Sequence, residues 1–222
     1  MTLRVPGRRA AVFGLAAGAA ALAWPPLAVA GAQKEEPLAD SVRTAMSAAI
    51  GQGAPPPTLK FDDIDARLGY LRWLGAMSEK LKKRKSEGQE RIEFLQTLWY
   101  ESRRAGLEPA LVLGLVQVES GFRKYAISSV GARGYMQVMP FWARHIGDGD
   151  AARLFLMQIN LRFGCVILRH YLDVERGDLF MALGRYNGSR GQAAYPDAVL
   201  GARKQWAWTD PSALPASAPA SR

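Results

Sequence analysis

Residues 111–122 read LVLGLVQVESGF, and between Pro109 and Phe122 the only charged side chain is Glu119. A helix that is apolar on every side has no face to offer to water. It must run through the middle of a packed body, and the rest of the chain must supply what surrounds it. The same helix carries a carboxylate at its C-terminal end, and carboxylates are rarely buried without a partner or a task. Burial disfavours the ionised form there, and so does the negative end of the helix dipole. A glutamate kept protonated near neutral pH is a general acid. The helix by itself leaves a second reading open: a structural carboxylate that caps a neighbouring helix or accepts backbone N–H groups.

The surrounding pattern is helical. Val42, Met46 and Ile50 recur at steps of four and predict a short helix over 40–50. GQGAPPP (51–57) ends it and opens a linker that reaches residue 60. Phe61, Ile64, Leu68, Leu71, Leu74, Met77 and Leu81 then predict the buried face of a helix over 61–81, with Asp62 and Asp63 at its start. The run Lys80, Lys82, Lys83, Arg84 and Lys85 reads as the solvated end of that helix, the alternative being a grip on an anionic surface. A helix over 89–105 buries Ile92, Leu95, Leu98 and Trp99 and stops at Gly106. Pro109 opens the central helix where its missing N–H costs little. Residues 123–139 read as irregular, 140–146 as a short helix, and the stripe from Leu156 to Val174 as a long amphipathic one. Shorter helices follow over 179–186 and 196–201. Few runs alternate with period two, so the predicted fold class is mainly α.

Residues 1–30 have the three-part order of a secretory signal peptide: Arg4, Arg8 and Arg9, an apolar run over 10–23, and Ala28-Val29-Ala30 before Gly31. The run is too short for a good bilayer span. The expectation is export to the periplasm, with no stable membrane span after cleavage. Cleavage removes three arginines and no acid, so the net charge falls from +9 to +6. A basic exported protein favours anionic lipid or an acidic cell wall over nucleic acid. Cys165 is the only cysteine, so no intramolecular disulfide can form and stability must come from the core.

The histidines are His145 and His170 alone, and the chain has no HExxH, cysteine cluster, GxSxG elbow or phosphate loop. Neither a metal nor a cofactor is expected. A glycosidase with two carboxylates would need a partner for Glu119. Asp173 and Glu175 read as solvated helix ends and Asp178 as an N-cap. Asp148 and Asp150 lie in a turn, and the spacing selects none of these, nor Asp197. A single-acid, substrate-assisted glycosidase fits that distribution better.

Three separated motifs then converge: Glu119-Ser120, SSVGARGYMQVMP (128–140) and Arg185-Tyr186-Asn187. In order and spacing they resemble the soluble lytic transglycosylase family, whose pattern is an ES pair, a GxxGLMQxMP stretch and an AYN triplet. The resemblance covers about 92–200, and Asn160, Gly164 and Tyr171-Leu172 fit it as well. It implies a lysozyme-like, mainly helical domain that cleaves peptidoglycan strands without water and leaves 1,6-anhydromuramoyl ends. Under it Glu119 is the sole catalytic acid and base, with Tyr186 beside it. Ser128 helps orient the substrate's N-acetyl group, Met136 and Gln137 line the glycan cleft, and Asn187 is the neighbour of Tyr186 in the site. Tyr135 replaces the usual Leu and would pack or extend the cleft. Arg185 replaces the usual Ala and adds a cation near the site. Ser120 reads as structural, and Gly131 and Gly134 as turn formers. GSRGQAAYPDAV (188–199) departs from the commoner AGPG continuation.

The chain accordingly divides into a signal peptide (1–30), a flexible segment and linker (31–60), an N-terminal helical segment (61–91), a transglycosylase catalytic domain (92–202) and a disordered tail (203–222). Two other functions stay open. One is a lysozyme-like hydrolase that uses Asp148 or Asp150 to hold a water. The other is a wall-binding or secretion-assembly protein that keeps the fold for docking and recruits a secretion or wall-synthesis partner through 61–91.

Overall fold

The computed structural model describes residues 33–51 and 59–213. The expected signal peptide (1–30), most of GQGAPPP and the last residues of the expected tail (214–222) lie outside the described residues. The described part is mainly helical, with α1 (Asp40–Gly51), α2 (Ile64–Leu81), α3 (Gly88–Arg104), α4 (Pro109–Glu119), α5 (Pro140–Ile146), α6 (Met157–Val174), α7 (Leu179–Asn187) and α8 (Ala194–Trp206). Short 3-10 helices occupy Ala151–Phe155 and Pro211–Ala213. The irregular stretch 123–139 is pinned by isolated bridges from Arg133 to Ile127 and to Val138.

The central helix is α4, as its composition requires. Ala110 to Val116 are buried without a break, and so is Glu119. Its most extensive neighbour is α8. The two approach so closely that a Cβ on Gly114 would lie 2.7 Å from the backbone nitrogen of Arg203. Only glycine permits that contact, and the contact brings the start of α8 toward the end of α4. Helix starts carry the side-chain caps that the sequence suggests. Asp63 accepts from Ala66 N (2.7 Å) and Asp178 from Met181 N (3.0 Å).

Four features depart from the sequence reading. On α2 the buried stripe is Tyr70, Trp73, Leu74, Met77, Ser78 and Leu81, while Ile64, Leu68 and Leu71 are exposed. Phe61, Tyr70, Trp73 and Trp99 form one aromatic cluster. Aromatic side chains bury more area than leucines, so they set the rotation of the helix. The basic run is not simply solvated. Lys80 donates to Gln205 O (3.0 Å) and Ala207 O (3.3 Å) at the end of α8, where cations suit the orphan carbonyls. Lys85 is buried and bonds Glu90 and the Tyr135 hydroxyl.

The segment expected to be flexible carries α1, which packs on α5 and α6, buries Met46 and accepts from Arg104 at Ala49 O (2.6 Å). The expected tail from 203 instead continues α8 to Trp206, whose buried indole donates to Gln117 (2.9 Å). Asp210 then holds Arg72 of α2 through two bonds of 2.9 and 2.7 Å.

Candidate active site

Glu119 is the last residue of α4 and is 5% exposed. The helix ends there because Ser120 leaves helical geometry, while its Oγ donates to Tyr135 O (2.7 Å) and lies 3.2 Å from Val116 O. Ser120 therefore ties the end of α4 to the 123–139 loop. One carboxylate oxygen of Glu119, Oε1, accepts a 2.5 Å bond from the Tyr195 hydroxyl. The other, Oε2, is buried and has no hydrogen-bond partner among the described residues. Burial raises the pKa of this carboxyl to about 8, against the smaller lowering effect of the tyrosine bond. A carboxylic acid of that strength holds its proton at pH 7 and can release it to a basic oxygen placed against it.

Two tyrosines from different helices face this group. Tyr195 sits in the first turn of α8, and the Gly114 contact brings that turn to the end of α4. Tyr186, on α7, is fully buried and donates to Met136 O (2.8 Å). Burial, and next the Glu119 charge, push both phenols up, so both remain hydroxyl donors. Tyr195 was not singled out by sequence reasoning. It lies 76 residues from Glu119, in a stretch that read as a departure from the family pattern.

The GARGYMQ loop is built from the inside by its own side chains. Gly134 has φ +74, and a Cβ there would lie 2.4 Å from Asn160 Nδ2. Asn160 accepts from Met136 N (2.8 Å) and donates to Arg133 O and Leu154 O (2.8 Å each). Gln137 is 2% exposed, and its amide donates to Gly134 O (2.9 Å) and Ala126 O (3.1 Å). The Met136 side chain is fully buried, close against Gly164. Met136 and Gln137, expected to line a cleft, here shape the loop with their side chains, and the Met136 carbonyl accepts from Tyr186. Tyr135 is 1% exposed and packs on Phe94, and its hydroxyl accepts from Lys85 Nζ (3.0 Å) and donates to Glu90 (3.4 Å). It therefore braces the loop against α3 and is sealed from a cleft.

Ser128 is half-buried, and its Oγ accepts from Ala132 N (3.1 Å). Asn187 follows Tyr186 at the end of α7, is 4% exposed, and donates to Ser189 Oγ (3.1 Å). Its Oδ1 is buried without a partner among the described residues. Arg185 does not face solvent alone: it bonds Glu175 (2.8 Å) and Glu36 (2.9 Å). Glu175, held by Arg190 and Arg185, is acidified to about 2. Asp148 accepts from Asp150 N and is paired with Arg153, which keeps its pKa low, while Asp150 caps the 3-10 helix at Ala152 N (2.9 Å). Among the described residues no group of three or more His, Cys, Asp or Glu side chains could hold a metal, and no helix is long and apolar enough to cross a membrane.

With this geometry in view, comparison with known proteins gives a consistent neighbourhood. The family described as Transglycosylase SLT domain matches residues 98–208. A protein named "Transglycosylase" from Enterobacteria phage PRD1 is 34% identical over 116 residues, 49% of this chain and 42% of its own length. "Membrane-bound lytic murein transglycosylase C" of Actinobacillus pleuropneumoniae is 39% identical over 99 residues, 42% of this chain and 24% of its own. The chain thus spans less than half the length of the curated relatives it matches. The solved structure of an inactive mutant of lytic transglycosylase Slt from Pseudomonas aeruginosa aligns with a TM-score of 0.41 and 19% identity, over 78% of this chain and 36% of that one.

Proposed function

The chain belongs to the transglycosylase SLT domain family, and on that premise we propose that it is an exported peptidoglycan lytic transglycosylase that uses Glu119 as its single acid and base. The observation that carries this reading is one buried glutamate with a pKa raised to about 8, held by a tyrosine. Protonated Glu119 gives its proton to the oxygen linking N-acetylmuramic acid to N-acetylglucosamine, and that bond breaks with the electron pair leaving on the oxygen. The substrate's own acetamido oxygen stabilises the cationic C1. The carboxylate, still bonded by Tyr195, then takes the proton of the C6 hydroxyl as O6 attacks C1. A 1,6-anhydromuramoyl end forms, no water enters, and Glu119 ends protonated as it began.

Tyr186 and Asn187 would stand beside the reacting sugar, and Ser128 would orient its acetamido group. Tyr195 joins them as a positioning residue, since its hydroxyl acts through Glu119. The hydrolase reading would need Asp148 or Asp150 to hold a water, and both are engaged in their own turn. A signal peptide over 1–30 would deliver the protein to the periplasm. The exposed Ile64, Leu68 and Leu71 on α2 leave the 61–91 segment a surface for a secretion or wall-synthesis partner.

The test is mass spectrometry of products released from purified cell wall. Wild-type protein should yield 1,6-anhydro ends and Glu119→Gln none. Reducing muramic ends from the wild type would identify a hydrolase and overturn this reading.

A further inference from the structure

A general acid must touch the oxygen that it protonates. Here Oε1 of Glu119 is taken by Tyr195, Oε2 is out of contact with solvent, and Tyr186 is fully buried. The site as folded is closed. A stretch of chain from outside the matched domain lies against it. Gln33 is 4% exposed, and its Oε1 accepts from the indole of Trp142 (2.8 Å), which packs on Tyr171, itself packed edge-on against Tyr186. Among the described residues the Gln33 Nε2 is buried without a hydrogen-bond partner. Two residues on, Glu35 reaches His145 Nε2 (2.5 Å) and Arg144 (4.0 Å) on α5. Glu36 accepts from Arg185 on α7 (2.9 Å).

Resting on the reading of Glu119 and Tyr186 as the reacting centre, we propose that residues 33–36 are a strap that holds this site closed and lifts when a glycan strand enters. Its attachments are of a releasable kind. The Glu35 and Glu36 side chains are 52% and 47% exposed, and exposed ion pairs are weak. Arg185 keeps Glu175 when Glu36 leaves. Among the described residues, no backbone–backbone hydrogen bond ties 33–38 to another element. The strap also presents a primary amide and two carboxylates. An N-acetylated glycan with acidic peptide stems brings amides and carboxylates too, so strap and substrate compete for the same partners.

The test uses the full chain and two variants, Glu35→Gln/Glu36→Gln and Gln33→Ala, so that one misfolded variant does not decide the matter. Binding of an N-acetylglucosamine oligomer, read by titration calorimetry, should tighten about three- to tenfold, the factor removed by opening a state that is closed about 70–90% of the time. Amide exchange over 33–38 should speed up and wall turnover should rise by a similar factor. Unchanged or weaker oligomer binding overturns the strap, even where exchange speeds up. Tighter binding with no anhydro product from any form leaves the strap standing and counts instead against the transglycosylase reading.

Discussion

Glu101 and Glu119 lie on consecutive helices, α3 and α4, and are 2% and 5% exposed. Glu101 faces guanidinium groups: Arg162 on α6 donates to it twice (3.0 and 2.7 Å), and Arg104 lies at 3.4 Å. Among the described residues no cation pairs with Glu119, and its hydrogen-bond partner is a neutral tyrosine hydroxyl. The same side chain at nearly the same depth is a structural tie in one place and a proton store in the other. What differs is the neighbour that arrives from a distant part of the chain. Burial sets the cost, and the partner decides whether that cost appears as an ion pair or as a retained proton.

The largest expected effect separates the two glutamates by function. Glu119→Gln should lower wall-lysing turnover by about 10³-fold or more, while Glu101→Gln should leave the pH–rate profile in place. Stability should move the other way. Glu101→Gln should cost about 3–5 kcal/mol, because it strips the Arg162 guanidinium of its buried carboxylate. For Glu119 the folded-state pKa is raised to about 8 from the ordinary 4.5. Between those pH values the native state holds a proton that the unfolded chain has released. Native stability therefore falls as pH rises through this window. Glu119→Gln lacks that loss, so its stability relative to wild type should grow by about 3 kcal/mol between pH 4.5 and 7. Urea unfolding at a series of pH values measures both effects. A pH-independent difference would place Glu119 with Glu101.

Smaller changes sharpen the contrast. The Tyr195 bond lowers the Glu119 pKa. Tyr195→Phe should shift the alkaline limb of kcat/KM upward and reduce turnover about tenfold, within the range of acid–base contributions. A change in turnover with no shift of the limb would break the proposed link to Glu119. Tyr135→Phe should be the mildest. It removes a hydroxyl held by Lys85 and Glu90, so it should cost about 1 kcal/mol of stability and leave kcat and KM unchanged. A raised KM would return Tyr135 to the cleft.

Much of this was legible in the sequence where the cause is local. Apolar spacing marks α3, α4 and α6, Pro109 and Asp178 mark helix starts, and an unbroken apolar helix predicts that Glu119 is buried. Features set by distant partners were not legible. Tyr195 meets Glu119 only because Gly114 lets α8 lie against α4. Lys85 belongs to a basic run, and no count of charges reveals that it turns inward to Tyr135. The rotation of α2 depends on an aromatic cluster that joins three separate segments. Gln33, Glu35 and Glu36 carry no motif, and their attachment to α5 and α7 emerges only in three dimensions.

Glu119, buried with no cation paired to it among the described residues, should stay protonated at neutral pH. The most direct measurement is a titration of its side-chain carboxyl by ¹³C NMR in the full chain, with Glu119→Gln to assign the signal. The expected midpoint is about 8. A midpoint near the ordinary 4.5 would contradict the claim and leave the site without its acid.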